Sequence, residues 1–223
     1  MTRRTNKVKS IKKLTVMLSM IMVACLVTGC ALGSFDASGY VKSCLDANLH
    51  GEFEEYAKIT RSEVSEVESL YNSFLDSDLE FLSAYKADDA KKQQFRELFI
   101  KLYKNTKYEV GEAAKGDDGS YSVPVKVYKM DVFKNVMANI EADMTKWAED
   151  QVAAGTTPST DDIYAYVLDY MYDAIAKEVD NPQYEEPVDS TIKVAKNSEG
   201  AYGVDQTELQ NLLESMIDIE NAQ

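Results

Sequence analysis

The chain has 223 residues, of which 45% are hydrophobic and 28% charged, enough for one core of ordinary size. Its 38 acidic residues outnumber 24 basic ones for a net charge of −14, which argues against nucleic-acid binding, because phosphate neutralisation by Lys and Arg supplies most of that affinity. The three cysteines and single histidine show no zinc-site spacing.

The N-terminus reads as a targeting segment. "MTRRTNKVKSIKK" holds six basic residues and no acid, and the 16 residues Leu14 to Gly29 carry no charge. A cationic stretch followed by a short apolar one has the form of a secretory signal peptide. A membrane-spanning helix, the alternative, needs roughly 20 apolar residues, and this run is shorter. The run ends in "LVTGC", Leu26 to Cys30, which resembles the lipobox of bacterial lipoproteins. That resemblance implies cleavage after Gly29, a diacylglycerol thioether on Cys30, and palmitate-type acylation.

Cleavage of residues 1–29 removes six of the 24 basic residues and none of the 38 acids. The 194 that remain carry 18 basic side chains and a net charge of −20. Anionic headgroups should repel such a domain, so the lipid does the tethering; two acyl chains anchor stably where one does not. Cys25 leaves with the signal and Cys30 is consumed by lipid, so Cys44 has no disulfide partner. Cys44 shares an apolar stripe with Val41, Leu45 and Leu49 and reads as a core thiol.

Residues 30–39 read as a lipidated Cys and a short polar tether, and residues 40–223 as one α+β extracytoplasmic domain. Asp36 or Ser38 caps a first helix from about Tyr40 to His50, ended by Gly51. "EFEEYAKIT" continues helically to Ile59. Thr60 with Glu63 reads as a capping box for a helix from Ser62 to Tyr85, with Val64, Val67, Tyr71, Phe74 and Leu75 inward. A further helix turns Phe95, Phe99, Leu102 and Tyr103 inward. From Thr106 the apolar period changes to 2. Tyr108 and Val110, then Tyr121, Val123, Val125 and Val127, alternate with polar residues on either side of "GDDG", which is a hairpin. Pro124 lacks an N–H and places its strand at a sheet edge. Two helices follow. One begins after Asp131 with Phe133, Val136, Met137, Ile140, Met144 and Trp147 on one face, and the next runs from Asp161 to about Glu178. Val188, Ile192 and Val194 alternate again, "NSEG" turns the chain, and Tyr202 and Val204 return. Asp205 with Glu208 caps a last helix carrying Leu209, Leu212, Leu213 and Met216.

One phrase occurs twice. "AKGDDGSYSV", Ala114 to Val123, and "AKNSEGAYGV", Ala195 to Val204, share A-K-x-x-x-G-x-Y-x-V at five positions, 81 residues apart. Each copy is the middle of a hairpin. A lone hairpin is marginal in water. Both hairpins are therefore expected in one four-stranded antiparallel sheet with helices packed on its apolar face. Duplication and convergence on common turn chemistry both remain open as origins.

The lipobox, "DASGYVKSCLDANLHGEFEEYAKIT", "TKYEVGEA" and "GAYGVDQTEL" together resemble a family of uncharacterised lipoproteins of Gram-positive anaerobic bacteria. The resemblance covers nearly the whole chain and implies an extracytoplasmic location on the cell membrane; it supplies no catalytic residues. Helices followed by sheet are similar also to NTF2-like and cystatin-like folds, from which the two helices between the hairpins depart.

No P-loop, no G-x-G-x-x-G and no Cys/His set with metal spacing occurs, so no cofactor and no metal is expected. His50 falls at a helix end beside Gly51 and reads as a solvated C-terminal histidine. "GDDGS" lacks the alternating ligands and closing Glu of a calcium loop. The feature above background is "DIYAYVLDYMYDAI": Tyr164, Tyr166, Tyr170 and Tyr172 spread around one helix, so not all of them can be core. Tyrosines with an apolar face and polar tip are common at interfaces. The expectation is a non-catalytic binding module for an envelope protein, peptide or wall polymer, with an exported hydrolase as the alternative and a packed helix as the plain reading of the tyrosines.

Overall fold

The computed structural model describes residues 35–217, apart from the side chains of residues 134–138 and 141. The signal segment, Cys30 and its first following residues lie outside the described residues. None of the described helices is long and apolar enough to cross a membrane.

Asp36 opens the first helix, α1 (Ala37–Leu45), by accepting a hydrogen bond from Gly39 N at 2.8 Å. The helix starts before Tyr40, inside the expected tether, because Ala37, Tyr40, Val41, Cys44 and Leu45 already face the core. It widens into a π-helical turn, Asp46–His50, which Gly51 ends at φ 68°. α2 (Glu54–Thr60) and α3 (Val64–Asp78) follow. The capping box of α3 is Glu63 with Glu66, not Thr60 with Glu63. Thr60 is the last residue of α2, its hydroxyl donates to the Tyr56 carbonyl, and Arg61 turns the chain at φ 59°. Val64, expected inward, is 40% exposed because it sits at that capped start. The long helix expected to reach Tyr85 changes at Leu79 into a 3₁₀ segment, Glu80–Tyr85. α4 (Asp89–Lys104) buries Phe95, Leu98, Phe99, Leu102 and Tyr103, and the Tyr103 hydroxyl donates to buried Asp78.

The two hairpins share one antiparallel sheet that curls as a half-barrel. It has five strands rather than four, because the leading strand of the first hairpin is broken into β1 (Lys107–Val110) and β2 (Ala114–Lys115), both paired with β3 (Tyr121–Tyr128). β3 pairs on its other side with β4 (Val188–Lys196), which pairs with β5 (Tyr202–Val204). Pro124 is therefore inside the sheet, not at an edge. Val110 lies opposite Val125 and Ala114 opposite Ser122, so β1–β2 carries one extra residue across from Pro124. A bulge is the other place a sheet accepts proline, and the missing N–H falls on it.

Gly111 permits the bulge. Its N–H donates to the Pro124 carbonyl at 2.8 Å, and a Cβ there would sit 2.8 Å from Pro124 Cγ. Ser38 in α1 completes it: its hydroxyl donates to the Gly111 carbonyl at 2.8 Å and accepts from Ala113 N at 2.9 Å. One side chain thus satisfies two backbone groups that the broken ladder leaves over.

α5 (Phe133–Ala153) and α6 (Thr160–Asp180) form the hairpin of helices between the sheet's halves. Of the stripe expected on α5, Val136 and Met137 fall among the undescribed side chains; Phe133 is buried, and Ile140, Met144 and Trp147 are half-buried. Ser159 and Asp162 form the capping box of α6. α7 (Gln206–Met216) begins as expected at Asp205, whose carboxylate accepts from Glu208 N at 3.0 Å. The Glu208 side chain turns instead to the sheet and accepts from Lys193 N at 2.5 Å, while Asp205 N donates to Lys193 O at 2.9 Å. These contacts cover the β4 backbone where the three-residue β5 has ended, protecting an exposed edge. Helices and sheet contribute to one apolar cluster that includes Tyr40, Leu75, Phe99, Val125, Ile175, Ile192 and Leu213.

Candidate functional site

The Tyr-rich helix α6 buries Val167, Leu168, Met171, Ile175 and Val179. At about 100° per residue, Tyr164 lies within that arc, Tyr172 at its border, and Tyr166 and Tyr170 on the far flank. The structure divides the four rings accordingly. Tyr164 meets Tyr85 edge-on at 5.6 Å, and Tyr172 meets Phe95 edge-on at 5.6 Å with the Lys91 ammonium 5.7 Å from its ring. Tyr166 stacks on Trp147 of α5 at 4.5 Å with planes 15° apart, and Tyr170 lies 6.5 Å from Tyr166. The Tyr166 hydroxyl donates to the Asp143 carbonyl at 3.3 Å. Burial and the nearby Asp143 carboxylate push both the Tyr166 and Tyr170 phenols above their ordinary value. All four rings remain half-buried. One helix packs them because it has two neighbours, the α4 side and α5. The open aromatic set is Trp147, Tyr166 and Tyr170 on the α5–α6 flank; Trp147 joins it only through the tertiary fold.

The single histidine has a different setting from the solvated one expected. The π turn brings His50 and Asp46 onto Tyr108 of β1. His50 Nε2 lies 3.1 Å from the Thr106 carbonyl, which makes it the donor, and its ring stacks on Tyr108 at 5.3 Å. The Tyr108 hydroxyl donates to Asp46 Oδ1 at 2.5 Å, with His50 Nδ1 3.5 Å away. Burial and the Asp46 carboxylate push the Tyr108 phenol far above its usual range, so it stays protonated. Lys42 closes the group, 2.5 Å from Asp46 Oδ2. Sequence spacing could not find this cluster, since Tyr108 is 58 residues from His50. Its two hydroxyls are already committed as donors. The Thr106 hydroxyl, 3.4 Å from Nε2, is buried and donates to Tyr103 O. Cys44 is buried, and that burial pushes its thiol up to about 12, so it is neutral and unreactive.

A groove of about 390 Å³ runs between α3 with its 3₁₀ extension and α4, lined by Asp76, Glu80, Ser83, Lys92 and Arg96 among others. Its guanidinium is already engaged, by Asp76 at 2.5 Å and Asn72 at 2.6 Å. Among the described residues no group of three or more His, Cys, Asp or Glu is placed to hold a metal ion. In "GDDGS" the Asp118 carboxylate accepts from the Ser120 N–H and hydroxyl, bonds that hold it below the usual carboxylate value. Cys30, the expected lipidation residue, lies outside the described residues.

No family model matches the chain, and no curated protein matches it. Among solved structures, a Bacillus subtilis strain 168 chain provisionally named a lipoprotein (ycdA) is similar, with a TM-score of 0.57 at 17% identity over 82% of this chain. At that identity the likeness shows a shared fold. The alignment takes in 56% of the Bacillus chain, so this chain spans little more than half of it.

Proposed function

We propose that the protein is a lipoprotein anchored through Cys30 to the outer face of the cell membrane, and that its folded domain binds an envelope component without catalysis. The observation that carries the anchor is "LVTGC" at the end of an uncharged run behind six basic residues. The fold shared with a chain provisionally named a lipoprotein supports it. Membership of the lipoprotein family of Gram-positive anaerobes belongs to the same proposal. Cys30→Ala should accumulate as an uncleaved precursor that takes up no labelled palmitate; normal cleavage and labelling of that variant would refute the anchor.

Binding is favoured over hydrolysis by the state of the reactive groups. The hydroxyls beside the histidine are committed as donors, Thr106's to Tyr103 O and Tyr108's to Asp46 Oδ1, and the free thiol is buried and neutral. The contact surface is assigned to the α6 tyrosines, with the open flank Trp147–Tyr166–Tyr170 as its centre and Tyr164 and Tyr172 as its support. Aromatic anchors at an interface commonly cost on the order of 2 kcal/mol or more when truncated. The −20 domain should associate faster with cationic partners, and salt should slow that association. The test is co-sedimentation of the exported domain with isolated cell walls and with envelope proteins, wild type against Tyr166→Ala/Tyr170→Ala. Equal recovery would remove this flank from the interface. Turnover of an envelope substrate, abolished by His50→Ala or Asp46→Asn in a folded protein, would establish the hydrolase instead.

A further inference from the structure

Both copies of the repeated phrase end at the same place. Lys115 pairs with Tyr121 and Lys196 with Tyr202, and Tyr121 lies opposite Val194, so the turns at 116–120 and 197–201 sit side by side at one end of the sheet. The two turns close identically: Gly116 N and Asn197 N donate to the carbonyls of Ser120 and Ala201, each at 2.8 Å. Behind them, Tyr121 and Tyr202 meet at 5.6 Å. Phe35 fills the space they leave, stacked on Tyr202 at 4.2 Å with planes 11° apart and 5.7 Å from both Tyr121 and Tyr40.

Phe35 is the first described residue, and it is five residues from Cys30. A fully extended link of that length reaches roughly 17 Å. β3 rises roughly 23 Å from Tyr121 to Tyr128, and a domain of about 180 residues has a radius of gyration of roughly 16 Å. The opposite end of the sheet is marked by Lys107 paired with Tyr128, where the Tyr184 hydroxyl donates to Asn105 O at 2.6 Å and Asn105 donates to Val179 O at 2.7 Å. A lipid on Cys30 therefore holds Phe35 and the hairpin tips within roughly 17 Å of the bilayer, less than the length of β3, so the sheet cannot stand on its opposite end.

We propose that the two hairpin tips form the membrane-facing end of the protein, held toward the lipid bilayer because Phe35 clamps the anchor segment between Tyr121 and Tyr202. This rests on the reading that Cys30 carries the lipid. The repeated phrase then serves to build that end: one tyrosine from each copy flanks the point where the tether leaves.

The experiment uses the full lipidated protein in neutral phosphatidylcholine vesicles doped with a nitroxide-headgroup lipid. A fluorophore is placed by Asp117→Cys at a tip or by Glu186→Cys near the opposite end; buried Cys44 and lipidated Cys30 leave that thiol as the labelling site. The tip label should be quenched several-fold more than the Glu186→Cys label, and Phe35→Ala should shrink the difference by lengthening the free tether. Equal quenching, or stronger quenching near residue 186, in protein shown to carry labelled palmitate overturns the orientation and leaves the anchor standing. Absence of palmitate from the protein overturns both. An undiminished difference in folded Phe35→Ala overturns the clamp.

Discussion

At the residue scale, Gly111 and Pro124 meet in a contact that admits no Cβ. Gly111→Ala would set a methyl carbon 2.8 Å from Pro124 Cγ, closer than real contacts. We expect it to destabilise the fold by about 1–3 kcal/mol, the usual range for overpacking. Pro124→Ala removes the offending atom, since the next Pro124 side-chain carbon is 3.7 Å away. In urea unfolding the double variant should then be more stable than the sum of the single effects predicts. Additive losses would show that the bulge, not the contact, demands glycine. Ser38→Ala removes the hydroxyl that partners the Gly111 carbonyl and Ala113 N–H and should cost about 0.5–1.5 kcal/mol by the same measurement, because water can reach both groups.

Cys44 makes a second residue-scale prediction. Burial raises its thiol from 9.0 to about 12 and the Tyr71 phenol from 10.0 to about 12. Groups whose value is raised by folding stabilise below the unfolded value and lose that contribution as pH rises toward the folded one. The denaturant midpoint should therefore hold to about pH 9 and fall between pH 9 and 12, and Cys44→Ala should flatten the early part of the fall. A thiol reagent at pH 8 should leave Cys44 of the folded domain unmodified until the protein is unfolded. Rapid labelling of the native domain would contradict the burial.

At the element scale, α6 shows why a tyrosine-rich helix is not by itself a binding face. Its 3.6-residue period carries two apolar faces, one for α4 and the 3₁₀ segment and one for α5. Tyr172 packs on Phe95, which is fully buried, whereas Tyr166 and Trp147 stack on the outer flank. Tyr172→Ala should consequently cost about 2–4 kcal/mol in thermal or urea unfolding, and Tyr166→Ala about 1 kcal/mol or less. The reverse order would mean that the α5 flank carries the packing. The same separation allows binding and stability effects at this helix to be measured on different residues.

At the scale of the whole molecule, charge opposes compaction. Residues 30–223 hold 18 basic and 38 acidic residues, and pairs such as Lys86–Asp161 and Lys58–Glu55 lie at the surface, where each is worth little. Self-repulsion at the net −20 of residues 30–223 opposes the compact state. The melting temperature of a protein of residues 30–223 should rise as salt is added from low ionic strength to roughly physiological, where the Debye length is about 8 Å. A fall would show that attractive pairs dominate.

The order of helices and hairpins, the alternation of β3 and the membership of both hairpins in one sheet were legible in the sequence, because each depends on local periods and on the marginal stability of a lone hairpin. The targeting segment proposed at the N-terminus is likewise read from composition, which needs no fold. What required the tertiary structure were contacts between distant residues. Pro124 reads as an edge signal until Gly111 and Ser38 supply a bulge around it, and His50 reads as solvated until a π turn and β1 enclose it. The four tyrosines read as surplus until α5 provides a second packing face. In each case the deciding partner lies more than ten residues away, and a one-dimensional pattern carries no term for groups that only meet when the chain has closed on itself.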